Sequence, residues 1–460
     1  MIDFIRKAEK FYKVLIILID LALINLAIVV AFLIKFNFDL PEFNFNPYIA
    51  AAPYITIAAL ILMDVYGLMN FYRKTFTETL TSIVFIVVLL SIITVAITYF
   101  KQGFSFPRSV LLLSPVLQFG LLGLWKVLLY KLRNAVVGKK SVMLIGGDDV
   151  YSVLDKIRNS AEAQGKYIRH VFNIKDEGLI HKRVGEIDEV FLCSDVSAEQ
   201  KMRVIVSCLG SRKVIYVVPQ LFEISLLNSK LTQFDDIPAF VIDGLDLSIE
   251  QRFLKRIFDL IVAAVGIILT SPVMLVAAIA VKVSSPGPII FSQERVTRRN
   301  RIFKIYKFRT MCDDAECKTG PVISGTDDPR VTQIGRIMRK LRIDELPQFF
   351  NVLLGDMSII GPRPERPYFV EQYIRDIPEY EHRTTVRAGI TGFAQVLGKY
   401  DTTPEDKLRY DLLYIKNYSL LLDIKLVFQT IKVMLTGNNI SENSFYKNLK
   451  EKSKVANFHF

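Results

Sequence analysis

Two adjacent carboxylates, Asp344 and Glu345, sit inside a cluster of cations: Arg336, Arg339, Lys340 and Arg342 precede them, and Arg363 and Arg366 follow. On a helix only residues three or four apart share a face, so adjacent acids point in different directions. One can face a reacting phosphate while the other faces a metal or a proton. The surrounding guanidinium groups suit the oxygens of a phosphate or diphosphate. The competing reading is a solvated, salt-bridged helix, because charged residues are mostly exposed. The neighbouring motifs weigh against it. In Gly361-Pro362-Arg363-Pro364-Glu365 the two prolines fix Arg363 in an extended turn, so its fork has little entropy to lose. Lys307-Phe308-Arg309-Thr310-Met311 and Asn351-Val352-Leu353-Leu354-Gly355-Asp356-Met357-Ser358 add further cations and acids. No histidine is placed to act as base, since His382 stands alone. The available nucleophiles are carboxylates, and acyl-phosphate formation at Asp is established chemistry. Phosphoryl transfer needs charge neutralisation and alignment, which arginines and a divalent ion supply.

The elements around this cluster follow from periodicity. Pro288 to Glu294 and Ile302 to Met311 alternate like strands, with the cationic turn Arg295 to Arg301 between them, which predicts a β-hairpin. Upstream, an apolar stretch from Ile257 to Val281 is long enough to span a bilayer, and Ser271-Pro272 lies in its middle. Proline removes an intrahelical hydrogen bond and Ser271 can satisfy the freed carbonyl. A crossing would put the basic C-terminal part outside, against the positive-inside bias. A re-entrant helix–break–helix that returns to the cytoplasmic face is preferred over a kinked fifth span.

The 460 residues allow two or three domains. The chain is 51% hydrophobic yet carries a net charge of +12, as expected when membrane spans are joined to a cationic soluble part. Such charge suits anionic headgroups and phosphorylated substrates. Nucleic acid is disfavoured because the apolar excess sits in long runs. Four of these, about Val14 to Ile34, Tyr48 to Gly67, Thr81 to Phe100 and Val110 to Tyr130, read as transmembrane helices. Basic residues at Arg6 to Lys13, Arg73-Lys74 and Lys131 to Lys140 put both ends in the cytoplasm. The first run lacks a small-residue cleavage site and is long enough to remain as an anchor. Asp20 and Asp64 are ionisable groups inside spans. The four cysteines show no CxxC pairing and read as reduced thiols. Between the spans and Ile257, Ser141 to Gly147, Glu189 to Cys193 and Val214 to Val218 read as strands, with a helix from about Asp149 to Gly165, predicting a small parallel α/β domain. The GxGxxG spacing of a dinucleotide site is absent after Ile145, which favours a regulatory or structural role.

From about Leu254 to Leu435 the chain resembles the bacterial sugar transferases, the monotopic phosphoglycosyl transferases. Besides the motifs already quoted, Lys255-Arg256-Ile257-Phe258-Asp259 and Asp344-Glu345-Leu346-Pro347-Gln348 carry the likeness. With four spans and an α/β domain in front, it is similar to the large WbaP-like subgroup. The resemblance implies a membrane α plus α/β architecture: a four-helix transmembrane bundle (1–135), a Rossmann-like domain (136–250), a mostly helical catalytic domain (251–440) with a re-entrant helix over 257–281, and a polar tail (441–460). It further implies an enzyme facing the cytoplasm from the bacterial inner membrane. That enzyme would transfer a sugar 1-phosphate from a UDP-sugar to undecaprenyl phosphate, with Mg2+ beside the carboxylate pair. By motif position Asp344 would be the nucleophile and metal ligand, and Glu345 would orient or accept a proton. Lys307, Arg309, Arg339, Arg363 and Lys399 would bind phosphate or substrate, and Ser271 and Pro272 would form the re-entrant break. A homodimer is compatible with the subgroup. The motif departs from the family's usual form at Val296 to Asn300, at Ala388 and at Lys399, and the last two lie where the resemblance places the nucleotide, so they bear on base and sugar preference. The alternative of another class is a catalytically inactive, membrane-anchored binding or regulatory homologue.

Overall fold

The computed structural model describes residues 2–69, 74–101, 106–136, 140–147, 150–158, 166–174, 177–209, 213–284, 286–311, 328, 330–398 and 402–436. Lys399, Arg73, Cys312, Cys317 and the tail 441–460 fall outside these residues. The chain divides into two units, Met1–Val218 and Pro219–Phe460.

The first unit opens with four helices, α1 (Ile2–Lys35), α2 (Glu42–Val65), α3 (Phe76–Phe100) and α4 (Arg108–Val136). The apolar parts Phe11–Lys35, Glu42–Val65, Phe76–Phe100 and Arg108–Leu132 are each long enough to cross a membrane. Their sequences explain the packing. Outward residues such as Ile92, Leu112 and Leu124 are exposed hydrocarbon. Inward hydroxyls are satisfied on their own helix, with Ser82 Oγ on the Glu78 carbonyl and Thr94 Oγ1 on the Leu90 carbonyl, each at 2.7 Å. A Thr75–Glu78 capping box starts α3.

Asp20 of α1 and Lys126 of α4 form a 2.6 Å ion pair with both side chains fully buried. Asp64, by contrast, is exposed near the end of α2. Removing one partner of a buried pair leaves a bare charge and costs about 3–5 kcal/mol. Lys126→Leu should therefore lower the melting temperature of the purified protein sharply. The double variant Asp20→Leu/Lys126→Leu should recover most of the loss, which a thermal melt of the three proteins checks.

The α/β part follows: β1 (Lys140–Gly146), α5 (Val150–Arg158), β2 (Lys166–Asn173), α6 (Glu177–Arg183), β3 (Glu189–Leu192), α7 (Ala198–Leu209) and β4 (Val214–Val217). The strands form one parallel sheet in the order β2-β1-β3-β4. Met143, Ile145, Val190, Leu192 and Cys208 build one core cluster, and Cys193 is buried in another with Leu144, Val150 and Leu154. β2 carries Arg169 and His170 and lacks a continuous apolar run, which is why its sequence did not announce a strand. The Gly147 N–H, at the end of the first strand, donates to the Asp195 carboxylate at 2.8 Å. A carboxylate thus sits at a position where a dinucleotide fold presents amides to a phosphate.

The second unit contains α8 (Leu221–Ser225), the hairpin β5 (Lys230–Phe234) and β6 (Ile237–Val241), α9 (Ile249–Ser284), β7 (Ile290–Val296), β8 (Ile302–Phe308), α10 (Gln333–Lys340), a 3-10 turn at Ile343–Glu345, α11 (Gln348–Leu354), β9 (Ser358–Ile360), α12 (Pro367–Asp376), a 3-10 segment at Pro378–Thr385, β10 (Gly389–Thr391), α13 (Phe393–Leu397), α14 (Pro404–Lys416) and α15 (Leu420–Thr436). Its core joins Phe303, Ile305, Val352, Ile360, Tyr380, Leu412 and Leu426, and Ile224 and Leu247 pack into it as well. The expected hairpin is present: β7 and β8 pair antiparallel from Ile290↔Phe308 to Val296↔Ile302. Its turn places Arg299 (φ 56°) and Asn300 (φ 57°) in the left-handed region, which explains why glycine is the usual residue there.

α9 is apolar enough to enter a membrane, and it is longer than the 257–281 read from sequence. Helix continues through Ser271 and Pro272, where a break was expected. Ser271 Oγ donates to the Ile268 carbonyl at 2.9 Å. That carbonyl is the one Pro272, lacking an N–H, cannot satisfy, so the hydroxyl replaces the missing bond. Asp259 accepts from Ser358 Oγ and from the Ile359 N–H, both at 2.9 Å. Lys255 bonds Asp423 at 2.7 Å and the Tyr414 hydroxyl at 3.0 Å. Beyond Pro272, Ala277 and Val281 pack with Phe308 and Met338.

Candidate active site

Asp344 and Glu345 lie on the 3-10 turn, not on a regular helix as the sequence suggested. The cause is local. Arg342 takes a left-handed conformation (φ 56°) that ends α10, and Pro347 then caps α11. At three residues per turn, neighbouring side chains diverge by roughly 120°, so the two acids still face different ways. Glu345 Oε1 accepts from Lys307 Nζ at 2.8 Å and from Arg363 Nη2 at 3.3 Å, with Arg342 Nη1 at 4.0 Å. Asp344 is buried, and its Oδ1 has no hydrogen-bond partner among the described residues. A buried carboxylate oxygen without a donor is the kind of hard ligand a divalent cation takes.

Each cation is held by a different device. Lys307 is near the end of β8, and Asn351 of α11 locks that strand: it accepts from the Tyr306 N–H at 2.9 Å and donates to the Lys304 carbonyl at 2.8 Å. Arg339, in the last turn of α10, donates through Nε to Thr310 Oγ1 at 2.9 Å. Gly335 lets α10 approach that segment, since a Cβ there would lie 2.2 Å from the Thr310 carbonyl oxygen. The Arg363 backbone is clamped from both sides: the Gly389 N–H donates to the Pro362 carbonyl at 2.9 Å, and Arg383 Nη2 donates to the Arg363 carbonyl at 2.9 Å. Arg383 is itself fully paired with Asp411 at 2.9 Å. Arg309 is buried and donates to the Pro286 carbonyl at 2.7 Å, so its fork secures the loop after α9. The structure thus joins Lys307, Arg342, Arg363 and Glu345 directly, with Asp344 beside them and Arg339 on Thr310. Asn351, Thr310, Arg383 and Asp411 escaped the sequence reading as supporting groups. Asn351 and Thr310 stand inside the quoted motifs, whereas nothing local marks Asp411.

The electrostatics separate the two acids. Burial works against the charge of Glu345, but Lys307, then Arg363 and Arg342, override it and hold its carboxyl well below the usual range. For Asp344, burial and then the charge of Glu345 outweigh Lys307, Arg339 and Arg342, and its carboxyl is pushed up to about 6. Lys307 is depressed, first by burial, although Glu345 opposes this. Two carboxyls driven apart by their surroundings are a signature of divided chemical roles.

Residues 250–437, which carry every group just described, match the family model for the bacterial sugar transferases. The chain belongs to that family. Among relatives, it is 52% identical over 188 residues to an Aeromonas hydrophila protein named UDP-N-acetylgalactosamine-undecaprenyl-phosphate N-acetylgalactosaminephosphotransferase, covering 40% of this chain and 44% of that one. It is 38% identical over 256 residues to the Escherichia coli K12 UDP-glucose:undecaprenyl-phosphate glucose-1-phosphate transferase, covering 54% of this chain and 55% of that one. A Bacillus subtilis family member, named as an undecaprenyl-phosphate N-acetylgalactosaminyl 1-phosphate transferase, is 46% identical over 158 residues, 34% of this chain and 78% of its own length. The match spans about half the length of the first two relatives. The family region includes α9 through α15 and leaves the four N-terminal helices and the parallel sheet outside.

Proposed function

We propose that the protein transfers a sugar 1-phosphate from a UDP-sugar to undecaprenyl phosphate at a bacterial inner membrane, and that the phosphosugar rides covalently on Asp344 between two displacements. The observation that carries this reading is the pairing of a buried, unpartnered Asp344 carboxylate with a neighbouring acid that two cations hold ionised. In the first step an Asp344 oxygen attacks the β-phosphorus. The bond between that phosphorus and the bridging oxygen breaks, and UMP leaves with the electron pair. In the second step a phosphate oxygen of the lipid attacks the same phosphorus, the aspartyl–phosphate bond breaks, and Asp344 returns as carboxylate. A carboxyl that titrates near 6 is ionised at neutral pH yet more basic than an ordinary aspartate, a compromise suited to a nucleophile. Glu345, held strongly acidic, is a poor proton acceptor, which favours an orienting role: it aims Lys307 and Arg363 at the diphosphate.

Magnesium fits this site through the free Asp344 oxygen, since it binds by one or two carboxylates plus substrate phosphates. When bound it supplies neutralisation of the diphosphate charge. The charge of Arg339 acts on Asp344 and lowers its basicity, as a phosphate-binding cation beside it would. A re-entrant course for α9 draws support from contacts on both sides of Pro272, since Asp259 before it and Val281 after it pack on one and the same domain. An active site on that domain then faces the cytoplasm at headgroup depth.

A panel of UDP-sugars assayed for UMP in the presence of undecaprenyl phosphate tests the activity, with UDP-N-acetylgalactosamine and UDP-glucose first, as the relatives' names suggest. No UMP with any donor would favour an inactive homologue. The pH profile tests the assignment of charge. Asp344 is raised above its unfolded value, so activity needing its ionised form is retained above about 6 and falls tenfold per unit below it. Glu345→Gln removes a charge that raises Asp344 and releases Lys307 and Arg363, which lower it. The acid limb should therefore move to lower pH even as the rate drops. An upward shift, read from initial UMP release between pH 4.5 and 8, would contradict the charge assignment.

A further inference from the structure

A cleft of about 240 Å³ opens around the first turns of α9, lined by Arg252, Arg256, Arg298 and Arg387, with Phe253 and Asp259 among its other walls. None of the groups gathered around Asp344 lines it. Its cations outnumber its carboxylates: Lys255 joins the four arginines, against Asp246 and Asp259. Most of these cations already have partners. Lys255 is bound to Asp423. Arg256 donates to the Val352 and Leu353 carbonyls at 2.6 and 2.9 Å. Arg252 and Arg298 share Asp246 at 3.2 and 3.7 Å. Arg387 differs: among the described residues its half-buried guanidinium makes no hydrogen bond. Burial first, then Arg256, holds its ionisation below the ordinary value against the opposing charge of Asp259, and Arg298 and Arg301 add to the lowering. Asp259, whose charge and that of Arg387 act on each other, is fully buried and lines the same cleft, with Oδ1 used by Ser358 and Ile359 and Oδ2 without a hydrogen-bond partner among the described residues.

A planar donor fork and a buried carboxylate oxygen in one cleft, each without a hydrogen bond among the described residues, specify a ligand that is anionic at one end and a hydrogen-bond donor at the other. We propose that this cleft is a second anion site, distinct from the Asp344 centre, which takes a phosphate group bearing a nearby N–H or O–H donor, as phosphatidylethanolamine and phosphatidylglycerol headgroups do. The phosphate lies on Arg387 and the ethanolamine ammonium or glycerol hydroxyl on Asp259. Membrane lipid is the source because the cleft sits where α9 begins its apolar run, beside exposed Phe253, Leu254 and Ile257. A hydrocarbon tail leaving the cleft meets apolar surface there. The site anchors the start of α9 at headgroup level whatever reaction Asp344 performs.

The test is native mass spectrometry of the full-length protein, delipidated in detergent and titrated with defined lipids or with inorganic phosphate. The wild type should retain phosphatidylethanolamine or phosphatidylglycerol at least tenfold better than phosphatidylcholine, whose trimethylammonium has no proton for Asp259. Arg387→Gln should lose that retention, and Arg387→Lys should keep part of it. Equal retention of phosphatidylcholine by the wild type overturns the proposal without any variant, as does unchanged retention in a folded Arg387→Gln protein. If inorganic phosphate displaces the lipid with the same dependence on Arg387, the anion site stands and its lipid source is overturned.

Discussion

Replacing Asp344 with asparagine should abolish turnover, reducing UMP release by about 10⁴-fold or more, the scale seen when a member of a covalent catalytic unit is removed. The substitution keeps the shape of the side chain and deletes its charge. The amide cannot form the acyl phosphate, so loss should be complete in both half-reactions, with donor binding much less affected. The fold should tolerate the change. Asp344 is buried, its Oδ1 has no hydrogen-bond partner among the described residues, and burial and Glu345 outweigh the nearby cations, so a neutral amide relieves a desolvation cost. The prediction is therefore inactivity joined to an equal or higher melting temperature. UMP release measured beside a thermal melt reads both.

Lys307→Met is the second large effect. Its ammonium is 2.8 Å from Glu345 and also acts on Asp344. Removing one preorganised charge aimed at developing negative charge costs about 10²–10³ in rate. Two further consequences separate this variant from simple unfolding. Asp344 loses a cation that lowers it, so the acid limb of the pH profile moves upward, opposite to Glu345→Gln. Arg363 keeps its bond to Glu345, so the site should remain assembled. A rate profile over pH with each variant, at saturating donor, checks the two opposed shifts.

What the sequence made legible was whatever has a length or a period. Four N-terminal helices and α9 followed from uninterrupted apolar runs, and the β7–β8 hairpin from strict alternation around a polar turn. The Asp344–Glu345 neighbourhood was visible because its cations are close in sequence or framed by prolines. What stayed hidden depends on long-range pairing. β2 is an edge strand whose side chains are half exposed, so no apolar pattern marks it. The left-handed turn at Arg342 converts an expected helix into a 3-10 turn, and no local propensity signals that at an arginine. Asp411 reaches Arg383, and through it Arg363, from a helix 48 residues downstream of Arg363. Lys126 and Asp20, 106 residues apart, find each other only in the assembled bundle. The resemblance set Arg309 among the phosphate-binding cations by motif position, and no sequence pattern announced that its guanidinium also donates to the Pro286 carbonyl.

The covalent phosphosugar is the claim on which the rest depends, and intact-protein mass spectrometry reads it most directly. Purified protein mixed with an accepted UDP-sugar and magnesium, without lipid acceptor, should gain the mass of one sugar phosphate while releasing one equivalent of UMP. Peptide mapping should place the added mass on Asp344, and undecaprenyl phosphate should discharge it. UMP accumulating with the protein mass unchanged, or an adduct that persists in Asp344→Asn, would contradict the account.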